Sequence, residues 1–365
     1  MRSGSKLTLL LSSALALLAA CASQDDVVIV TQSEAPSFSA AASASCPQGV
    51  GYIAPETASL TATQVDWAVN DALAPNTYFA PLTPKTVYVL NSDDSRFGGL
   101  SGADFLDEDT LIVVADDGSL IWIDVDPKTV EPTGSFGITT LKDASGNPLD
   151  GKLLADSEGV AWTGDTLFVS FERTHRVLAY DIANCGAMAR GIPVLSFAPD
   201  GFGIDKSINE NSGLEGLAER NGETLILGLE TRAEGGAPVG LFDEPSQNGE
   251  LGLRLDAPEI TMLTGLDLVS SDVGPDRLYS VFRSYDPLRG TRISIGLAEL
   301  SDDGEIISTD HFPVWNRDAQ IDNYEAIIVR PISDSTDQII LISDDNFSDR
   351  QKTLLAVFEY VHTAD

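Results

Sequence analysis

Carboxylates recur in this chain in a register that brings them to one place. Five segments share a short pattern: Gly99-Leu100-Ser101-Gly102-Ala103, Ser157-Glu158-Gly159-Val160-Ala161, Leu214-Glu215-Gly216-Leu217-Ala218, Gly265-Leu266-Asp267-Leu268-Val269 and Tyr324-Glu325-Ala326-Ile327-Ile328. Their central positions 101, 158, 215, 267 and 325 lie 57, 57, 52 and 58 residues apart. They hold Ser101, Glu158, Glu215, Asp267 and Glu325. A second set of acids closes the apolar run that follows most of them: Asp116 with Asp117, Glu172, Glu230, and Asp344 with Asp345. If the two runs of a unit form an antiparallel hairpin, the start of the first and the end of the second share one edge of the sheet. Repetition around a ring then gathers the acids at one mouth of a central channel. Like charges brought together repel, and a hard cation with oxygen ligands, Ca2+ above all, is the usual compensation. The expected metal ligands are Glu158, Glu172, Glu215, Glu230, Glu325, Asp344 and Asp345. Isolated turn acids are common on so acidic a chain; the recurrence in register sets these apart.

Arginines follow the same strand ends, as Arg173, Arg232 and Arg283, in a chain with only 22 Lys and Arg against 56 Asp and Glu. A guanidinium fork there either pairs with the carboxylates or binds phosphate oxygens beside a metal. Other chemistries fail on spacing. The Ser101 segment lacks the second glycine of a nucleophile elbow, and no histidine is placed as its triad partner. Residues 344–348 begin like a calcium loop but lack its Gly at the sixth position and Glu at the twelfth. His175, His311 and His362 are scattered without zinc-ligand spacing.

The elements that must position these groups are strands. Apolar runs at 110–115, 166–171, 224–229, 277–282 and 338–343 follow the five segments, with turn residues such as Thr163-Gly164-Asp165 and Asn221-Gly222-Glu223 between. Third runs follow at 176–180 and 353–358. A unit of three or four strands cannot bury both faces alone, so neighbours must stack. The expected fold is an all-β β-propeller of about six blades, five of them visible as repeats. Residues 60–97, with a strand at 86–90, complete a sixth blade or close the ring against the last. A two-sheet sandwich leaves the regular recurrence unexplained.

A formal net charge of −34 repels nucleic acid, so none is expected as a partner. Residues 7–20 form an apolar stretch behind Arg2 and Lys6, shorter than the roughly 20 residues of a spanning helix, and read as a secretory signal over 1–20. Leu18-Ala19-Ala20-Cys21 resembles a lipobox, which makes Cys21 the lipidated residue. Ala22, where an Asp would favour inner-membrane retention, points to the outer membrane facing the periplasm. Residues 21–45, rich in Ala, Ser and Thr, read as a flexible tether, and 46–365 as the folded domain. Cys46 and Cys185, left over in an oxidising compartment, are expected to pair as a disulfide.

Over roughly residues 96 to 360 the chain resembles the bacterial phytase-like family, also called esterase-like activity of phytase. The residues that carry this are Arg96-Phe97-Gly98-Gly99-Leu100-Ser101-Gly102, Asp156-Ser157-Glu158-Gly159, Leu214-Glu215-Gly216-Leu217-Ala218, Asn323-Tyr324-Glu325 and Leu341-Ile342-Ser343-Asp344-Asp345-Asn346-Phe347. The resemblance implies activity on phosphoesters carried by the recurring Glu and Asp residues. Two departures stand out: Phe282-Arg283-Ser284 where the family has Glu-Arg-Ser, and Ala326 for the Gly of the last Glu-Gly. The expected function is Ca2+-assisted hydrolysis of a small phosphorylated substrate by a monomer that meets the membrane only through its lipid. Glu158, Glu215 and Glu325 would be the catalytic carboxylates, with Arg173, Arg232 and Arg283 clamping the phosphate. The alternative is a non-catalytic, Ca2+-stabilised propeller that binds a ligand or a protein.

Overall fold

In the computed structural model the described residues are 36–69, 73–198, 202–204, 208, 211–243, 251–271 and 274–362. The signal segment, Cys21 and the first part of the expected tether lie outside them. Five sheets follow one another along the chain. The first blade is β4 (Leu100–Asp107), β5 (Thr110–Ala115), β6 (Ser119–Val125) and β7 (Pro132–Thr140), numbered after three N-terminal strands, β1 (Glu56–Ser59), β2 (Thr61–Gln64) and β3 (Thr83–Asn91). The second is β8 (Ser157–Trp162), β9 (Leu167–Phe171), β10 (Arg176–Tyr180) and β11 (Ile192–Ser196). The third is β12 (Leu214–Arg220), β13 (Thr224–Leu229), β14 (Ala237–Asp243) and β15 (Leu253–Leu255). The fourth is β16 (Met262–Val269), β17 (Asp276–Asp286), β18 (Gly290–Leu300) and β19 (Ile306–His311). The fifth is β20 (Asn323–Ser333), β21 (Thr336–Asp344) and β22 (Thr353–Val361).

The first strand of each blade faces the axis, and β4, β8, β12, β16 and β20 touch in turn, β20 returning to β4. The result is a closed five-bladed propeller. Each second strand reads as a continuous apolar run because both its faces are covered by neighbouring blades. In β5, Leu111 and Val113 pack toward the fifth blade with Ile340 and Leu355, whereas Ile112 and Val114 pack toward the second with Val160 and Val169. Five apolar clusters thus fill the five seams between blades.

The ring has five blades rather than six, and residues 60–97 take the second of their two expected roles, closing the ring against the last blade. β3 pairs with β22 and so belongs to the fifth sheet, along with β2. β1 crosses the seam and pairs with β7 of the first sheet. Leu60, between β1 and β2, is buried in the seam core and its N–H donates to the Gly134 carbonyl at 3.0 Å. N-terminal chain therefore joins both sides of the ring's last seam and covers sheet edges there.

The expected tether also ends early. Residues Phe38–Ser45 form helix α1, capped by the Ser37 hydroxyl, with Phe38 and Ala41 buried against the second and third blades. Its apolar side chains find a groove that Ala/Ser-rich composition does not advertise. The chain then reaches Cys46, disulfide-linked to Cys185 across a Cα–Cα distance of 5.6 Å. No helix among the described residues is long and apolar enough to cross a membrane.

Candidate functional site

Every inner strand breaks its pairing register at the same point, near its start. The irregularity falls between Leu100 and Gly102, Ser157 and Val160, Leu214 and Gly216, Leu263 and Gly265, and Tyr324 and Ala326. An irregularity of this kind leaves one residue outside the ladder, or in β8 two, Glu158 with Gly159, and re-aims a side chain. The five residues set apart are Ser101, Glu158, Glu215, Thr264 and Glu325. The small residue that follows each has its own reason. A Cβ on Gly102 would run into the Glu158 carbonyl, one on Gly265 into the Glu325 carbonyl, and one on Gly159 would stand 2.9 Å from the Glu215 carbonyl. At these three positions a side chain would keep adjacent blades from closing round the narrow channel, whereas blade five accommodates the Cβ of Ala326. Glu158, Glu215 and Glu325 are each 7% exposed.

A second set of groups comes from the ends of the second strands. Pairing puts Ala115, Phe171, Leu229, Phe282 and Ser343 near the bulges, so the residues that follow are equivalent: Asp116, Glu172, Glu230, Arg283 and Asp344. Both sets meet at one mouth. Carboxylate oxygens of Glu172, Glu215 and Glu230 lie within 4.8 Å of one another, and so do those of Asp156, Glu158 and Glu172. Glu172 accepts from the Gly213 N–H at 2.8 Å, which holds it across the seam to blade three.

Three cations stand among these acids. Arg283 Nη1 donates to Asn323 Oδ1 at 2.7 Å, while Nη2 lies 3.2 Å from Glu230 and 3.4 Å from Glu325. Asn323 Nδ2 in turn donates to Glu325 at 2.9 Å and to Asp344 at 3.2 Å. Arg173 Nε pairs with Asp156 at 2.6 Å, and Lys152, in a one-turn helix, pairs with Asp156 at 2.9 Å and with Asp116.

Burial and crowding both work against ionisation here. Glu158 and Glu215 are pushed well above the usual carboxylate range, first by desolvation and then by the neighbouring carboxylates. Desolvation lifts Glu172 to about 7 and Asp344 to about 7, and it lifts Glu325 to about 8 against the pull of Arg283. Glu230 rises by desolvation and is held back by Arg283. The mouth therefore demands either protons or cations. Its donors are almost all carboxylate oxygens and in excess of the local positive charge, a set that fits Ca2+.

Glu158, Glu172, Glu215, Glu230, Glu325 and Asp344 meet as the spacing suggested, with Arg173 and Arg283 among them. Three residues do not. Asp345 turns its carboxylate to the Gly99 and Phe347 N–H groups at 3.0 and 2.9 Å and to the Thr353 hydroxyl at 2.9 Å, where it shapes a loop. Arg232 donates to the Pro258 carbonyl at 2.7 Å and to Thr261 and Ala257 carbonyls, so it ties down the chain entering blade four. Asp267 sits three residues beyond the bulge, toward the other end of the channel, and accepts from the Val329 and Leu268 N–H groups. Its true counterpart is Asp104, which accepts from Trp162 N–H at 2.7 Å. The signal that separates these cases is the residue before the small one: Ser101-Gly102, Glu158-Gly159, Glu215-Gly216, Thr264-Gly265 and Glu325-Ala326. Likewise Phe282 lies in the core and Arg283, not Phe282, stands in the acid's place. Asp116 joins the mouth as its strand-end position suggested, though not among the expected metal ligands; Asp156, Asn323 and Lys152 join it without having been expected there, Asp156 and Asn323 lying two positions before Glu158 and Glu325.

Comparison with solved structures finds a glutaminyl cyclase of Myxococcus xanthus, 13% identical over 73% of this chain and 92% of that one, with a TM-score of 0.38. It also finds the WD40 β-propeller domain of Doa1, 13% identical over 77% of this chain and 97% of that one, with a TM-score of 0.33. No curated protein matches the chain. The model of the phytase-like family, described as esterase-like activity of phytase, matches residues 95–347. That span runs from the loop entering β4 to the loop after β21, taking in all ten mouth positions, and by it the chain belongs to the phytase-like family.

Proposed function

We propose that this phytase-like propeller hydrolyses a phosphoric ester with the help of Ca2+, in the bacterial cell envelope, anchored through a lipid on Cys21 and facing the periplasm. The observation that carries the reading is the convergence of buried and half-buried carboxylates from four blades on one mouth, with arginine beside them. Glu172, Glu215 and Glu230, backed by Glu158, are the residues that would hold the ion. Bound there, Ca2+ supplies Lewis-acid polarisation of the phosphoryl oxygen and of a nearby water. The chain's own groups do the rest. Arg283 and Arg173 face the same mouth and orient phosphate oxygens with their forked donors. Glu325 and Asp344, bound by the Asn323 amide, help fix the position of Arg283 before a substrate arrives. The bulged strand starts hold the acids on a rigid ring, so little reorganisation is needed on binding.

The test is a phosphomonoesterase and phosphodiesterase screen of the purified protein with and without Ca2+, repeated on Glu215→Gln. Turnover that needs Ca2+ and is lost in Glu215→Gln supports the proposal, since Gln keeps the size and removes the charge. Absence of turnover on every phosphoester, or full activity in Glu215→Gln, refutes it. Ca2+ stabilisation without turnover would instead favour the non-catalytic, ligand-binding propeller.

A further inference from the structure

Blade four breaks the pattern of the mouth. At the two positions where blades two, three and five each supply two carboxylates, it supplies Thr264 and Arg283. The Arg283 guanidinium lies between blades three and five, within 3.4 Å of Glu325 and 3.2 Å of Glu230, with Asn323 Oδ1 at 2.7 Å. Its Nε is buried and makes no hydrogen bond among the described residues. Both terminal nitrogens, by hydrogen bonds and ion pairing, hold the group there. The oxygens round it, from Glu230, Glu325 and Asn323, with Asp344 linked through Asn323, are the hard donors a divalent cation would take. The tightest carboxylate groups are on blades two and three, and of their members Glu230 alone also touches Arg283, through one of its two oxygens.

We propose that Arg283 is a built-in cation that fills one of two cation positions at the mouth, leaving the mouth a single divalent-cation site, on Glu158, Glu172, Glu215 and the oxygen of Glu230 that Arg283 does not take. The inference rests on the reading of the mouth as a Ca2+ site. A guanidinium and a divalent ion cannot share the donors of blade five, because like charges a few ångströms apart disfavour each other. The single charge of Arg283 neutralises that half permanently and keeps a cationic donor available for an anion. The bound ion serves the other half.

Calorimetric titration and flow dialysis of metal-free protein with Ca2+ count the sites directly. Wild type is expected to bind one Ca2+ per chain. Arg283→Gln, which frees Glu325, Asp344 and the Asn323 oxygen, is expected to bind two. Arg283→Lys keeps the charge and is expected to stay at one. Far-UV circular dichroism shows whether each variant keeps the fold, and the wild-type count decides by itself if Arg283→Gln does not. Two sites in wild type overturn the inference and leave the Ca2+ reading standing. One site in both wild type and a folded Arg283→Gln does the same. No site in wild type but one in Arg283→Gln removes the Ca2+ reading for the native chain while upholding Arg283 as the occupying cation. No site in either overturns both.

Discussion

Without metal, the protein should lose stability as pH rises from 5 to 8. Glu172 is raised from 4.5 to about 7, Glu325 from 4.5 to about 8 and Asp344 from 3.8 to about 7, in each case chiefly by desolvation. Between those ordinary values and the raised ones, the native state keeps protons that the unfolded chain has already released. The unfolded state then binds fewer protons, so the free energy of unfolding falls with pH. Each proton kept contributes a slope of about 1.4 kcal/mol per pH unit, and a single shift of the size of Glu172's amounts to roughly 3 kcal/mol once fully expressed. In domains of 150–250 residues 1 kcal/mol moves the melting temperature about 2–4 °C, so a fall of several degrees per pH unit is expected. Surface repulsion in an acidic protein has the same sign, and salt separates the two. At about 0.5 M KCl exposed charges are screened over a few ångströms, while buried groups are screened much less. The assay is differential scanning calorimetry of metal-free protein at pH 5, 6, 7 and 8 in high salt, with and without Ca2+. The slope should persist in salt, flatten in Glu215→Gln, and be largely cancelled by Ca2+ above pH 7, where binding to the native state adds stability by mass action. A melting temperature that is flat or rising between pH 5 and 8, or a slope abolished by salt, would refute the argument.

Gly265→Ala should cost about 1–3 kcal/mol, because the added methyl meets the Glu325 backbone carbonyl, which cannot move aside; Gly252→Ala, where nothing lies within 4 Å, should be close to neutral in the same urea titration. Asp337→Asn should cost about 3–5 kcal/mol, since Asp337 is fully buried and holds Arg277 at 2.8 and 3.0 Å and the Tyr279 hydroxyl at 2.6 Å across the seam between blades four and five. An unchanged urea midpoint would show that this seam does not depend on the pair. Cys21→Ser should release the protein from envelope membranes or block its processing, and a wild-type N-terminus with no lipid mass would remove the anchoring proposal.

The recurrence of an apolar strand pair with an acid at its start and another at its end determines by itself that blades stack and that carboxylates collect at one mouth. These are local facts: hairpin turns, alternate faces and the small residue after each Glu are properties of neighbouring positions. Three matters were decided only in three dimensions. The number of blades depended on where the N-terminal chain pairs, and a strand at 83–91 looks the same whether it opens a sixth blade or completes the fifth. The register of blade four depended on a bulge, which put Thr264 rather than Asp267 at the mouth and Arg283 in an acid's place. The use of each charge depended on its partners: Asp345 and Arg232 carry the same chemistry as Asp344 and Arg283, yet loop backbone reaches them first. Strand periodicity is carried by residues one or two positions apart, whereas closure, register across a bulge and the pairing of charges are settled by groups scores of residues distant, whose approach only the packed ring creates.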